Sequence, residues 1–431
     1  MSSTTSVAAP PSPHSYEDLN RNQVNRLTWS LLSGFTVMYA AYAGLAAVLM
    51  PAQVGYVDPA HKEASLALIM SASAFVTIFV QPIFGAISDR TRSRWGRRTP
   101  WMALGVVGGA LALLVIGHLA TIALLLAGWI AVQVLLNVMQ IPMTSWLPDR
   151  VPAARRGVVS SFIGVGSQVG VTIGIVLAAR FAGPGQVATG YTIFAIAVLV
   201  VILALLLLNA DKDNRGVPVE AFSWARFGRS FWVSPKVAPD FWWAFWARVV
   251  LILGYWGISQ YQRYSLQDYF MVGDHVNAAQ SNASIIQLVT VLVASLTLGP
   301  LSDRLGRRKI FVAGSSVVMA ISFAIPLAMP TLSGFYLSQA VLGLGYGAYM
   351  SLDMALMSEV LPSAADAGKD MGLLNVATNV PQSLGPTLAG IIVTTFAVGA
   401  DKTPGYRILF GLGVVLVAAA AFLVKPIKGV R

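Results

Sequence analysis

Only 18 of the 431 residues are Asp or Glu, so an acid inside an apolar run stands out. Asp353 is such an acid, in "YMSLDMALMSEVLP", six residues before Glu359. On a helix it lies about 9 Å deeper than Glu359, at 1.5 Å per residue. A carboxyl held that far from water can take up and release a proton. The alternative is a structural acid, paired with Arg or capping a broken helix. Arg263 and Asp268, in "QYQRYSLQDYF", lie near the opposite end of another apolar run. They read as an outer gate, as ligand contacts, or as an interfacial ion pair.

A second set of charges is repeated. "GAISDRTRSRWGRR" runs from Gly85 to Arg98, and "GPLSDRLGRR" runs from Gly299 to Arg308. Gly85, Asp89, Arg90, Gly96, Arg97 and Arg98 are answered by Gly299, Asp303, Arg304, Gly306, Arg307 and Arg308. Arginines alone would fix a loop on one side of a membrane, and they also attract anionic lipid headgroups. The paired acids ask for more. An acid at the end of one helix can face the N-terminus of another, which carries roughly +0.5 charge from unpaired N–H groups. The repeat places Asp89 against the start of the run near Met371, and Asp303 against the start near Gly157.

The apolar runs also hold uncharged polar and aromatic groups. They are Tyr39 and Tyr42, Gln133, Asn137 and Gln140, Gln168, Tyr255, Trp256, Gln260 and Tyr264, Tyr346, Asn375, Asn379 and Gln382. Amides and aromatic faces suit a neutral polyhydroxyl ligand through hydrogen bonds and stacking. The same types hold membrane helices together.

Other chemistries lack their residues. No strand–GxxxxGK[ST]–helix phosphate cradle is present. "GLGYG" (Gly343–Gly347) reads as a bend or close helix contact. The four His are far apart, there is no Cys, and no metal-ligand spacing occurs. No nucleophile–base constellation is found, so the expectation is no catalytic residue, no metal and no enzyme.

The elements that must position these groups follow from composition. The chain is 56% hydrophobic and only 11% charged, with mean hydropathy +0.69. Soluble domains are nearer 45–50% apolar and about 25% charged. Hydropathy predicts twelve spans, at 28–50, 64–88, 100–120, 122–147, 157–180, 188–209, 240–268, 282–301, 308–328, 331–358, 372–397 and 404–425. Most of the 29 Lys and Arg fall on the side shared by both termini, which predicts cytoplasmic termini and explains the net charge of +11 without nucleic acid.

The predicted organisation is a disordered leader (1–25), a six-helix bundle (26–209), a central cytoplasmic loop (210–239), a second six-helix bundle (240–425) and a tail (426–431). The leader lacks the apolar core of a signal peptide, so the first span should be retained as an anchor. In the central loop, "VEAFSWARFGRSFW" mixes aromatics with Arg226 and Arg229, as a surface-lying helix or an anchored linker would. The two halves read as repeats. Besides the charged loops, "SQVG" (Ser167–Gly170) parallels "QSLG" (Gln382–Gly385), and "PDRVP" (148–152) echoes "SEVLP" (358–362). Gly166, Gly170 and Gly174 form a small-residue face every four residues.

The paired Gly-x-x-x-Asp-Arg…Gly-Arg-Arg loops resemble the signature of the major facilitator superfamily, over residues 25–428. Within it, "DRTRSRWGRRTPWM" resembles the glycoside–pentoside–hexuronide cation symporters and the sucrose–proton symporters. "NVMQIP" (Asn137–Pro142) is similar to an Asn-x-x-Gln-Gly-Pro element of the sucrose group. The resemblance implies an all-α integral membrane fold of twelve transmembrane helices, in two pseudo-symmetric bundles, with both termini cytoplasmic. It implies alternating access in the cytoplasmic (inner) membrane, driven by a proton or sodium gradient with no cofactor. The implied partners are a small-molecule substrate, a sugar or glycoside, and membrane lipids, with the chain acting as a monomer. One departure matters. Gln133 stands where the sucrose group carries an acid seven residues before the span-four glutamine, and glutamine cannot exchange a proton. Coupling would then move to Asp353 or use another cation. Two other readings remain: proton-antiport efflux of amphipathic compounds, and a non-transporting sensor or assembly factor on the same scaffold.

Overall fold

Helix is what an apolar segment in lipid must form, because every backbone N–H and C=O has to find its partner within the chain. The computed structural model describes residues 21–216, 239–305, 308–359 and 367–427. Residues 1–20 of the expected leader, the aromatic-basic stretch 219–232 and the last four residues lie outside them, whereas residues 21–25, expected to be disordered, already form the start of the first helix. The described chain is almost wholly helical, with one isolated bridge between Val398 and Asp401.

The first bundle contains α1 (Arg21–Gly44), a π-helical turn (Leu45–Leu49) and α2 (Met50–Val57), which together make one rod. It continues with α3 (Lys62–Arg90), α4 (Thr99–Ile116), α5 (Ile122–Arg150), α6 (Ala153–Arg180) and α7 (Val187–Leu208). The second contains α8 (Pro239–Gln260), the short α9 (Gln262–Asp268), α10 (Val276–Leu305), α11 (Arg308–Ala328), α12 (Leu332–Glu359), α13 (Ala367–Thr395) and α14 (Thr403–Val424). All twelve predicted spans correspond to these rods. Ten helical stretches among the described residues are long and apolar enough to cross a membrane. At 1.5 Å per residue the 29 residues of α3 extend about 44 Å, beyond a hydrocarbon core of ~30 Å. Large apolar side chains such as Leu207, Leu296, Val415 and Phe422 point outward, which suits lipid and not water.

Two spans differ from their hydropathy outlines. The first continues past residue 50 to Val57 and carries the π turn, which begins directly after Gly44. A side chain at Gly44 would strike the ring of Phe194 and the carbonyl of Gly174. The predicted span 240–268 breaks at Tyr261. There the chain bends to send the Tyr261 and Tyr264 hydroxyls across to the other bundle.

Glycines set the closest approaches. Cβ atoms on Gly170 and Gly174 would collide with the backbone of Thr36 and Ala40, so the small-residue face of α6 is where α1 lies against it. The counterpart of Gly170 in the repeat is Gly385, which meets Gly257 of α8. Gly343 and Gly347 admit the backbone of α10 at Gln287 and Val291 in the same way. The repeat read from the sequence is thus a repeat of packing.

Between the bundles, α3 packs on α13 and α6 packs on α10. The α3–α13 contact is antiparallel and in register. Ala67 lies by Gly390, Ser71 hydrogen-bonds Thr387, and Gln81 accepts from Asn379.

Candidate functional site

Three polar regions lie along the seam between the bundles. The first is the arginine-loop end, where α3 stops and α4 begins. Gly96 takes φ +79°, and a Cβ there would strike the Asp211 side chain. Asn214 pins the loop, accepting from the Ser93 N–H at 2.9 Å and donating to the Thr91 carbonyl at 2.9 Å. The buried Arg98 is the hub. Its Nη2 meets Asp89 Oδ1 at 2.7 Å, its Nε meets Asp149 Oδ2 at 3.1 Å, and its Nη1 donates to Ser88 at 3.2 Å. Arg97 adds a second bond to Asp149 at 2.8 Å.

Asp89 is therefore paired inside its own bundle in this conformation. Around Gly157, the expected partner region for Asp303, a Cβ would meet nothing within 4 Å. Gly85 has only Ile141 nearby, Arg90 donates to the Ala86 carbonyl, and Arg304 is exposed. Gly306 and Arg307 lie outside the described residues; Gly299 and Asp303 fall in α10, Arg308 in α11 and Met371 and Asn375 in α13, with only their helical backbone described. The part of Asp149 was missed in the sequence, although "PDRVP" had been singled out as a repeat.

The second region is central. Asn137 on α5, Gln81 on α3 and Asn379 on α13 form a chain of amides across the seam. Gln81 donates to Asn137 Oδ1 at 3.3 Å, and Asn379 donates to Gln81 Oε1 at 2.9 Å. Asn137 also donates to the Gln133 carbonyl at 2.8 Å. Gln81 was not anticipated. Its signal was an amide beside Pro82 in an otherwise apolar run.

Across from the amides, Tyr255 of α8 stacks on Tyr346 of α12, with centroids 4.6 Å apart and planes 8° apart. Trp256 stands edge-on to Tyr255, and Tyr39 stacks on Phe35. Tyr42 keeps a buried hydroxyl without a partner. Gln133, Gln140, Gln168 and Gln382 are half-buried. Asp353 is buried two turns from Tyr346 and meets Arg248 Nη2 at 3.2 Å. Their crevice is bordered by α11 and α14.

The third region closes the opposite end of the seam, and most of it was invisible in the sequence. Lys62 of the first bundle meets Asp268 of the second at 2.9 Å. Lys402 of the second meets Glu63 of the first at 2.7 Å. Each bundle thus lends a lysine to the other's acid. The Lys62 ammonium also lies 3.9 Å from Glu63 Oε1 and 4.9 Å from the Tyr264 ring centroid. Hydroxyls of Tyr261 and Tyr264 donate to the carbonyls of Glu63 and Pro51, and Gln280 donates to the carbonyl of Ala47.

Tyr264 and Asp268 therefore sit in this closure, and Gln260 is buried just before it. Arg263 is paired with Asn277 and not with Asp268. In the adjoining turn, the Ser65 hydroxyl and then His61 hold the Asp58 carboxyl below the usual carboxylate range. Among the described residues no group of His, Cys, Asp and Glu could hold a metal ion.

Two six-helix halves in a membrane, closed at one end of the seam and polar at its centre, make a multi-pass transporter. The chain belongs to the family described as MFS/sugar transport protein, whose model matches residues 33–369.

A sucrose transport protein, SUC4 of Arabidopsis thaliana, is 32% identical over 120 residues, 22% of this chain and 23% of that one. A chloramphenicol resistance protein of Pseudomonas aeruginosa is 28% identical over 161 residues, 35% of this chain and 36% of that one. An uncharacterized symporter of Synechocystis is 67% identical over only 30 residues. The chain thus spans about a third or less of the curated relatives it matches. Solved structures match throughout. A bacterial homolog of the human lysosomal transporter Spinster, in an inward-facing unoccupied conformation, has TM-score 0.73 at 13% identity over 95% of this chain and 98% of that one. The nucleoside transporter NupG has TM-score 0.68 at 16% identity over 93% and 99%. These likenesses establish the fold alone.

Proposed function

We propose that the chain is a secondary active transporter that works by alternating access and carries a sugar or glycoside in symport with a proton across the cytoplasmic membrane. The observation that carries the reading is the chain of neutral amides, Asn137, Gln81 and Asn379, which joins the bundles at the seam's centre. Amide chains bind hydroxyls by giving and taking hydrogen bonds. Tyr255 and Tyr346, which stack on each other in this conformation, carry the flat aromatic faces on which a sugar ring packs.

The termini and arginine loops face the cytoplasm in this reading, and the lysine-acid closure faces outward. The conformation is then inward-facing. Outward opening would separate the lysine-acid closure and close the arginine-loop end. Continued along its register, α3 brings Asp89 opposite the first turns of α13 near Met371, where the helix N-terminus can hold it. Asp89 would leave Arg98 to Asp149 and latch the two bundles. Asp353 is the proposed coupling acid, because a proton taken up there dissolves its pair with Arg248.

Proteoliposomes given an inward acid gradient test the proposal: labelled sugar should accumulate, and Asp353→Asn should abolish accumulation while leaving exchange intact. Accumulation unchanged in Asp353→Asn would remove the coupling assignment. The chloramphenicol and multidrug resistance relatives favour a second reading, proton-antiport efflux of amphipathic compounds. The same vesicles decide it, since efflux predicts drug-dependent proton release and no sugar uptake.

A further inference from the structure

Arg248 and Tyr255 lie seven residues apart on α8, and Asp353 and Tyr346 lie seven residues apart on α12. The pairs run in opposite senses: Arg248 meets Asp353, and Tyr255 meets Tyr346. Seven residues are about two turns, or roughly 10 Å, so the ion pair and the stack are successive rungs between two antiparallel helices. The helix backbones themselves pack elsewhere. α8 lies on α13 and α14, and α12 lies on α10 and α11. Side chains join α8 to α12, which makes the spacing between these helices depend on the rungs.

Arg248 is the charged group that faces Asp353 from α8. From α11 and α14 the crevice receives Val312, Ser316, Ala420 and Val424, and α12 itself adds Tyr349. Arg248 Nε is buried without a hydrogen-bond partner, and the Tyr349 hydroxyl faces the Asp353 carboxyl one turn away on the same helix. A half-satisfied buried pair is held by its charge, and neutralising the acid removes the main reason for the guanidinium to stay.

We propose that Arg248 is a positioning residue for transport: its pair with Asp353 sets the Tyr255–Tyr346 stack, and proton uptake at Asp353 frees Arg248 and parts the stack for the substrate. The proton comes from the coupling gradient and adds to the carboxylate. Arg248 stays protonated, and the reverse step returns the proton on the other side. The inference rests on the proton-coupled reading above.

The chain has no cysteine, so nitroxides can be placed at Trp243→Cys on α8 and Met350→Cys on α12, both exposed positions. The measured distance should change between acidic and neutral pH in the parent. It should stay at its acidic value in Asp353→Asn, and change with a displaced midpoint in Asp353→Glu. Arg248→Leu should lose the pH response and Arg248→Lys should restore it. Sugar affinity of Arg248→Leu with Tyr255→Leu should fall within about twofold of the worse single variant, as residues in one coupled unit behave. A distance that ignores pH in the parent, or still follows it in Asp353→Asn, overturns the proposal. Sugar uptake in the same vesicles separates the two claims. A pH response without uptake keeps the lever and overturns the transport reading, and uptake without a pH response overturns the lever.

Discussion

Replacing Lys402 by Met should open the closed end of the seam. Glu63 is 1% exposed, and Lys402 holds its Oε2 at 2.7 Å. Breaking a fully buried ion pair by removing one partner costs about 3–5 kcal/mol, because the remaining charge is stranded. Two features reduce the figure here. Lys402 is itself 21% exposed, and Lys62 stands 3.9 Å from Glu63 Oε1 and can take part of the load. A cost of about 2–3 kcal/mol to the closed conformation follows, which shifts the open-to-closed ratio roughly 30- to 150-fold. Ser284 accepts a bond from Thr172 across the α6–α10 seam and is buried. In the cysteine-free chain, Ser284→Cys becomes the sole site for a membrane-impermeant maleimide, and its labelling rate reports opening. Labelling should rise steeply in Lys402→Met and return towards the parent rate in Lys402→Met with Glu63→Gln, where no charge is stranded. Equal labelling in parent and Lys402→Met would refute the reasoning. So would a double variant that labels as fast as the single.

Arg98→Ala should lower thermal stability by about 1–2 kcal/mol, since it removes the buried hub but leaves Asp149 with Arg97 and Asp89 half-exposed to solvent; Asp89→Asn, at a half-exposed partner, should cost under ~1 kcal/mol in a detergent melt yet slow net transport. Gly170→Leu should prevent folding, because its side chain would enter the Thr36 backbone, and size-exclusion chromatography of the expressed variant shows this. Gln81→Leu should weaken sugar binding by about 1–3 kcal/mol in calorimetry by stranding the amides of Asn137 and Asn379, with the apparent pH dependence of binding unchanged.

The helices were legible because each must be apolar over some 20 residues, a constraint that hydropathy reads directly. The repeat was legible because Gly85, Asp89 and Arg90 recur as a charged pattern where charge is scarce. Glu63 and Lys402 were not legible. They lie far apart in sequence, each at a helix boundary where a charge is ordinary, and only the seam brings them together. Gln81 was overlooked for a related reason: a single amide in an apolar run has no periodicity, and its meaning comes from Asn379 on the opposite bundle. Asp268 stood out by type, but its partner had to be seen, because Lys62 lies on the other bundle, and Arg263, the basic residue five positions before it, turns to Asn277.

The two ends of the seam are built on opposite principles, and that difference bears on how the molecule would alternate. At the arginine-loop end, Asp89, Arg97, Arg98 and Asp149 all belong to one bundle, so their bonds survive any separation of the halves. At the other end the lysines are exchanged, and separation breaks both pairs at once. Each bundle nevertheless keeps one lysine and one acid there: Lys62 with Glu63, and Lys402 with Asp268. Lys62 is already 3.9 Å from Glu63, so on opening it can pair within its own bundle without crossing open space. Neither half then carries a net charge into the open state from this cluster. Exchanged pairs make the closed state specific, and local re-pairing keeps the open state within a few kcal/mol of it, which is the range in which a gradient or a bound ligand can move the equilibrium.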